Sequence, residues 1–168
     1  VMANAHILMS DPTNYDARAE IMWASSLSHN GLTGCGTDGG DWACHRLEHE
    51  LGGLYDVAHG AGLAAIWGTW ARYVYKYNPA RFAKFGTHVL GVEAGADEEE
   101  TALRSIAAME DFFRSIHMPT NLRELGVNPT DEEYKILAEG CFKATNGGIG
   151  SILRLNLEDM EKIYRQAY

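Results

Sequence analysis

The 168-residue sequence has little positive charge. Its 14 lysine and arginine residues stand against 23 acidic residues, which gives a formal net charge of −9. A nucleic-acid surface needs a basic stripe that displaces counterions, so we expect no nucleic-acid partner. No apolar run approaches the roughly 20 residues of a membrane span, and no charged-then-apolar leader follows Val1. We therefore expect no membrane partner either.

Cysteine is scarce and its spacing forms no known pairing pattern. Cys35, Cys44 and Cys141 are an odd number, and no two of them form a C-x-x-C pair. A disulfide framework and a structural zinc site are therefore not expected. A reducing cytoplasm is the predicted location.

Alternating apolar and polar runs, the pattern of a half-buried strand, are also lacking, whereas helical spacing recurs along the chain. Hydrophobic residues make up 46% of the chain, an ordinary share for a globular protein. We predict an all-α helical bundle of about seven helices, and a single domain over residues 1–168. The predicted helices, with Asp41 as the N-cap of the second, cover residues 12–29, 42–51, 59–77, 80–90, 97–118, 130–145 and 157–168.

Two short motifs have the spacing of known ligand sites. Gly34–Gly39 satisfies the dinucleotide pattern G-x-G-x-x-G, but that mechanism needs a preceding strand, and a predicted helix precedes it here. We interpret it as a connector. His45, Glu48 and His49 match the H-x-x-E-H of inverted zinc proteases. Residues i and i+4 share a helix face, so this motif predicts a metal-dependent hydrolase as an alternative, with Glu48 polarising a bound water.

A third histidine, His59, lies close by in sequence. On one unbroken helix it would lie about 21 Å from His45, at roughly 1.5 Å per residue. A metal–nitrogen bond is only about 2.0–2.1 Å long, so the chain must reverse for both residues to bind one ion. We predict the reversal at Gly52-Gly53, where the backbone turns at low steric cost. Helical histidines are also common in structural roles, so a non-catalytic helical module is a further alternative.

The segment from His45 to Ala64 resembles the C-terminal signature of iron-containing alcohol dehydrogenases. Residues 40–43 resemble the butanol dehydrogenase-like branch, and the similarity continues through residues 14–18, 70–74 and 119–122. The resemblance implies a dehydroquinate synthase-like C-terminal domain. It also implies a metal-dependent, NAD(P)-linked oxidoreductase that interconverts small alcohols and aldehydes.

The same resemblance implies roles for the histidines. In that family one Asp and three His bind Fe²⁺ or Zn²⁺, and the match makes His45 and His59 metal ligands. It makes His49 a catalytic residue that helps to move protons. The other two ligands, and the nucleotide-binding domain that binds most of NAD(P), are expected N-terminal to Val1. Family members commonly dimerise, so a homodimer is compatible with the resemblance.

Two further expectations concern this chain itself. A catalytic metal site needs at least three protein ligands and an open position, so the isolated chain should bind metal weakly and be inactive. We expect Trp42, Trp67, Trp70 and the Phe112–Phe113 pair mainly in the core, with one or two of them able to line a substrate cleft.

Overall fold

The computed structural model describes residues 1–37 and 39–168 and is built from helices. The described residues contain no strand, only one isolated bridge between Ile149 and Leu155. The all-α prediction is confirmed, with eight α-helices in this part of the chain against about seven predicted. They are α1 (Met2–Ser10), α2 (Tyr15–His29), α3 (Ala43–Tyr55), α4 (His59–Val74), α5 (Pro79–Phe85), α6 (Glu98–Ser115), α7 (Asp131–Ala144) and α8 (Leu157–Gln166).

The chain divides into two compact units, Val1–Gly40 and Asp41–Tyr168. In the first, α1 packs on α2, and a 3₁₀ turn at Leu32–Gly34 follows. The predicted helix from Pro12 begins instead at Tyr15, because the Asn14 side chain accepts a hydrogen bond from the Ala17 amide and caps α2 there. Helix α1 was not predicted. The assignment of residues 1–168 to one domain stays a prediction.

The second unit encloses an apolar core that orients helix α3. Leu47 and Leu51, four residues apart on α3, are fully buried, and the Tyr164 hydroxyl donates a 2.6 Å hydrogen bond to the Leu47 carbonyl. Residues i and i+4 share a helix face, so burial of the leucines decides which face of α3 is left open. The largest fully buried apolar side chains are Leu47, Leu51, Ile66, Val74, Ile106, Leu122, Leu137, Leu155, Met160, Ile163 and Tyr164.

The chain reverses between α3 and α4, but not at the paired glycines. Helix α3 continues through Gly52 and Gly53, and the turn is made by Asp56 in the left-handed conformation, at φ 53° and ψ 40°. The predicted helix end at Leu51 was therefore wrong, although the reversal exists a few residues later. Glycine inside a helix costs only about 1 kcal/mol relative to alanine. Packing of α3 against α4 and α7 outweighs that preference.

The remaining boundaries follow local signals. Asn78 caps α5, and Thr130 with Glu133 forms the capping box predicted at the start of α7. A 3₁₀ turn at Tyr75–Tyr77 follows α4, and a π-helical turn at Gly86–Leu90 follows α5. None of the helices described is both long and apolar enough to cross a bilayer.

Candidate metal centre

Three histidine side chains converge where α3 meets the start of α4. His45 and His49 lie one turn apart on α3, and His59 is the first residue of α4. The Nε2 atoms of His45 and His59 are 3.0 Å apart. The centroid of the His45 ring lies 5.2 Å from that of His49 and 4.6 Å from that of His59. The structure therefore brings together all three residues that the sequence singled out.

The histidines point to the open side of the unit because the leucines of α3 point to its core. Leu47 and Leu51 are buried, whereas His45 is half-buried, His49 is exposed, and the His59 side chain is 49% exposed. The cluster is thus anchored on two packed helices while its side chains stay at least partly exposed.

Glu48 lies behind this cluster, between the histidines and the core. It is only 1% exposed, and its Oε2 is hydrogen-bonded to Nδ1 of His59. In the H-x-x-E-H interpretation His45 and His49 bind the ion and Glu48 polarises a bound water. Only the reversal after α3 brings Glu48 against His59. This contact was missed by sequence reasoning.

The Nε2 atoms of His45 and His59 are spaced to bind one divalent ion. Two nitrogens that each lie about 2.0–2.1 Å from an ion are at most about 4.2 Å apart. The 3.0 Å separation of the His45 and His59 Nε2 atoms meets that limit. One ligand atom from each of the three histidines lies within 4.8 Å of the others. A carboxylate bonded to the far nitrogen of a histidine is also a recurrent feature of metal sites.

Asp41 precedes the centre in sequence, and its carboxylate accepts hydrogen bonds from backbone amides. One of its oxygens accepts a 2.9 Å hydrogen bond from the Ala43 amide, and the other accepts from the amides of Ser151 and Ile152. The N-cap position of α3 is Trp42, so the prediction of Asp41 as the N-cap was wrong by one residue. Its carboxylate instead joins the start of α3 to the loop before α8.

Aromatic side chains differ in their relation to the centre. Trp70 is buried and Trp67 is partly buried, as expected of core residues. Trp42 is 48% exposed. Its ring contacts the ring of His45 in an edge-to-face arrangement, with the centroids 5.1 Å apart. Trp42 therefore offers an apolar surface directly beside a candidate ligand.

The cysteines are all free thiols. Cys44, next to His45, is buried, and burial, followed by the charges of Asp41 and Glu48, raises the pKa of its thiol far above the usual range. Burial likewise raises the pKa of Cys141 to about 12. Buried, protonated thiols of this kind act as small packing groups.

The glycine-rich motif does not have the context of a nucleotide site. Gly34 ends a 3₁₀ turn that follows helix α2, where the dinucleotide motif would need a strand. Asp38, inside the motif, lies outside the described residues.

Comparison with known proteins identifies relatives along the whole chain. Residues 1–168 match the family model described as Fe-containing alcohol dehydrogenase family, C-terminal. NADH-dependent butanol dehydrogenase A of Clostridium acetobutylicum is 36% identical over 163 residues, which are 96% of this chain and 41% of the relative. Probable NADH-dependent butanol dehydrogenase 1 of Bacillus subtilis is 34% identical over 166 residues, which are 98% of this chain and 42% of the relative.

Solved structures agree with this match. The crystal structure of NADH-dependent butanol dehydrogenase A from Thermotoga maritima is similar with a TM-score of 0.89 at 34% identity, covering 99% of this chain and 42% of the other. The aldehyde reductase YqhD of Escherichia coli is similar with a TM-score of 0.89 at 26% identity, covering 99% and 43%. The chain thus spans about two fifths of the length of the relatives it matches.

Proposed function

The chain belongs to the Fe-containing alcohol dehydrogenase family, and on that premise we propose that it is the metal-binding part of an NAD(P)-linked enzyme that interconverts small alcohols and aldehydes. The observation that carries the proposal is the 3.0 Å approach of the Nε2 atoms of His45 and His59. The names of its relatives, butanol dehydrogenases and an aldehyde reductase, support the substrate class. The relatives are more than twice as long, which supports placing NAD(P) binding and the remaining ligands in another part of the full-length protein.

His45 and His59 would hold the ion, Fe²⁺ or Zn²⁺, through their Nε2 atoms. A bound divalent ion is a Lewis acid that polarises a carbonyl oxygen or stabilises an alkoxide. Both imidazoles must be neutral to offer a lone pair, so binding weakens in acid. Trp42, beside His45, presents an apolar surface to the alkyl part of a substrate.

His49 would relay the hydroxyl proton. Its ring centroid lies 5.2 Å from that of His45 and 5.6 Å from that of His59, and its side chain is exposed to water. An imidazole changes charge near neutral pH, so it can take a proton from the reacting oxygen and pass it to solvent.

The hydrolase alternative conflicts with the position of Glu48. A general base must come within hydrogen-bond distance of the water it activates. Glu48 is buried, and its Oε2 is bonded to the side of the His59 ring opposite His45. A wide separation of His45 and His59 would have favoured the alternative of a non-catalytic module, and the two side chains are in contact.

Isothermal titration of this chain with Zn²⁺ tests the ligand assignment. We expect one weak site, since the chain supplies two of the ligands, and we expect His45→Ala and His59→Ala to abolish the binding heat. His49→Ala should retain it. The matched control is His88→Ala, because His88 is exposed on the π-helical turn after α5, outside the histidine cluster. Binding that survives His59→Ala but not His49→Ala would overturn the proposal in favour of the His45–His49 pair.

A further inference from the structure

We propose that Glu48 is a positioning residue for the metal centre, because its buried carboxylate holds one tautomer and one orientation of the His59 ring. The inference rests on the proposed function, in which His59 is a ligand. It concerns a residue that does not touch the ion or the substrate and acts through the histidine in front of it.

The tautomer follows from the chemistry of the two partners. An ionised carboxylate only accepts hydrogen bonds, so Nδ1 of His59 must carry the proton in its contact with Glu48. A neutral imidazole has one N–H, and its other nitrogen keeps a lone pair. The lone pair of His59 is therefore on Nε2, the atom that lies 3.0 Å from Nε2 of His45. That is the nitrogen a shared ion would need.

The position of Glu48 depends on a glycine that faces it. A Cβ added at Gly62, on the facing helix α4, would lie 2.6 Å from Oε1 and 2.9 Å from Cγ of Glu48. Real Cβ atoms do not approach so closely, so a glycine at position 62 is what leaves room for the glutamate. The chain thus holds an acidic side chain in a narrow space between two helices, with its carboxyl group at the first residue of α4.

Glu48 also has an unfavourable feature that folding alone does not explain. Its Oε1 is buried without a hydrogen-bond partner among the described residues. An unsatisfied buried polar atom costs stability, and an apolar side chain of similar size would avoid that cost. The contact with His59 gives this residue a functional reason to be acidic.

The first measurement is the tautomer of His59 in the metal-free chain. Nitrogen-15 NMR, recorded about two pH units above the ordinary imidazole pKa of about 6.5 so that the ring is neutral, separates protonated from unprotonated ring nitrogens. We expect His59 to be protonated at Nδ1 and not at Nε2. In Glu48→Leu we expect a mixture of both tautomers. In Glu48→Gln, whose amide oxygen still accepts a hydrogen bond, we expect the original tautomer to be largely restored.

The second measurement is the affinity for Co²⁺, followed by its visible absorption. Loss of a partner that orients a metal-binding histidine typically weakens binding by about 10–100-fold, and we expect Glu48→Leu to fall in that range. Glu50→Gln is the matched control, since Glu50 lies two residues away on α3 and packs against Gly140 instead. It should change the affinity less than about twofold.

A backbone variant tests the same contact without altering Glu48. Gly62→Ala forces the carboxylate away from its present position, so Co²⁺ binding should weaken and the His59 tautomer should become mixed. Gly53→Ala is its control, because a Cβ there meets no atom within 4 Å. This pair also decides the matter if Glu48→Leu fails to fold.

The outcomes separate this inference from the proposed function. A single Nδ1–H tautomer and unchanged Co²⁺ affinity in Glu48→Leu or Gly62→Ala would overturn the role of Glu48 while leaving His59 a ligand. Co²⁺ binding that persists in His59→Ala would overturn the proposed function, and the NMR result would still judge the Glu48–His59 contact. A purely structural role for Glu48 would lower the stability of Glu48→Leu without changing the tautomer, and that result also counts against the inference.

Discussion

At the scale of single residues, the centre depends on how each imidazole is held. The side chains of His45 and His49 project from α3 on the side opposite the buried Leu47 and Leu51, and His59 is held from behind by a carboxylate. Side chains anchored on packed helices keep their geometry better than side chains on loops.

Substitution of His49 tests its role in proton transfer. In the full-length protein we expect His49→Gln to lower kcat for alcohol oxidation by about 10²-fold or more, the usual contribution of a general acid–base group. The metal content, measured by inductively coupled plasma mass spectrometry, should be unchanged. Loss of metal from this variant would instead identify His49 as a ligand.

An ion pair with one buried partner, away from the centre, makes a second residue-scale prediction. Glu110 on α6 is buried and forms two hydrogen bonds with Arg72 of α4, whose side chain is 44% exposed. Arg72→Ala leaves that carboxylate without its main partner. We expect the free energy of unfolding in urea to fall by about 1–3 kcal/mol, less than for a fully buried pair because water reaches Arg72.

The control is a substitution in a solvent-exposed ion pair. Arg104 and Glu100 are one turn apart on α6, and both side chains are largely exposed. We expect Arg104→Ala to change the free energy of unfolding by about 0.5 kcal/mol or less. Equal effects of the two substitutions would show that burial of Glu110 does not matter to stability.

At the scale of helices, the capping signals before α7 and α8 agree with the fold, whereas the glycine pair Gly52-Gly53 does not end α3. Thr130 and Asn156 each form a capping box at the start of α7 and α8. Capping depends on residues within one turn, so such sites can be predicted from the sequence. Whether a glycine pair ends a helix depends on what that helix packs against.

Helical backbone at Gly53 predicts that alanine is favourable there. A Cβ at Gly53 meets nothing within 4 Å, so Gly53→Ala should raise the free energy of unfolding by about 0.5–1 kcal/mol. A Cβ at Gly91 also meets nothing within 4 Å, but Gly91 has a φ of 69°, which disfavours alanine. Gly91→Ala should therefore lower the free energy of unfolding by about 1 kcal/mol. Destabilisation by Gly53→Ala would contradict the continuous helix α3.

A hydrogen bond between α4 and α8 predicts that the fold becomes less stable at alkaline pH. The Tyr73 hydroxyl donates a 2.7 Å hydrogen bond to Asp159, and burial, followed by this bond, raises the pKa of Tyr73 to about 12. The pKa of Tyr73 in the folded state exceeds the unfolded value of 10.0. The protonated hydroxyl therefore contributes fully to the stability of the fold below pH 10, and this contribution is lost as the pH rises towards 12.

We therefore expect Tyr73→Phe to be less stable than the original chain by about 1 kcal/mol at neutral pH. The difference should narrow when urea unfolding is repeated at pH values between 10 and 12. Tyr15→Phe is the control, because Tyr15 is largely exposed and should show neither effect. A difference that does not change over this range would contradict the raised pKa.

At the scale of the whole molecule, the chain matches about two fifths of the length of its relatives. Its relatives are more than twice as long, and the two proposed ligands fall short of the three that a catalytic site needs. We expect this chain alone to show no NAD(P)H-linked reduction of butanal, as followed at 340 nm.

Zinc should nevertheless stabilise the isolated chain. An ion that binds only the folded state adds about 1.4 kcal/mol when its free concentration is ten times the dissociation constant. The midpoint of thermal unfolding should therefore rise with Zn²⁺, return after chelation, and stay constant in His59→Ala. A rise of equal size in His59→Ala would place the ion elsewhere.

Much of this protein follows from its sequence alone. The apolar spacing along the chain and the capping residues predict the all-α class and most helix positions, whereas the choice of His45 and His59 as ligands rests on the family resemblance. These features depend on residues near one another in the chain, and local physics decides them.

Only the tertiary structure decided the turn at Asp56, the backbone role of Asp41 and the contact of Glu48 with His59. Each of these depends on which faces of two helices meet. A helix end, a carboxylate's partner and an imidazole's tautomer are settled by burial against distant residues, and the order of residues along one helix does not specify that burial.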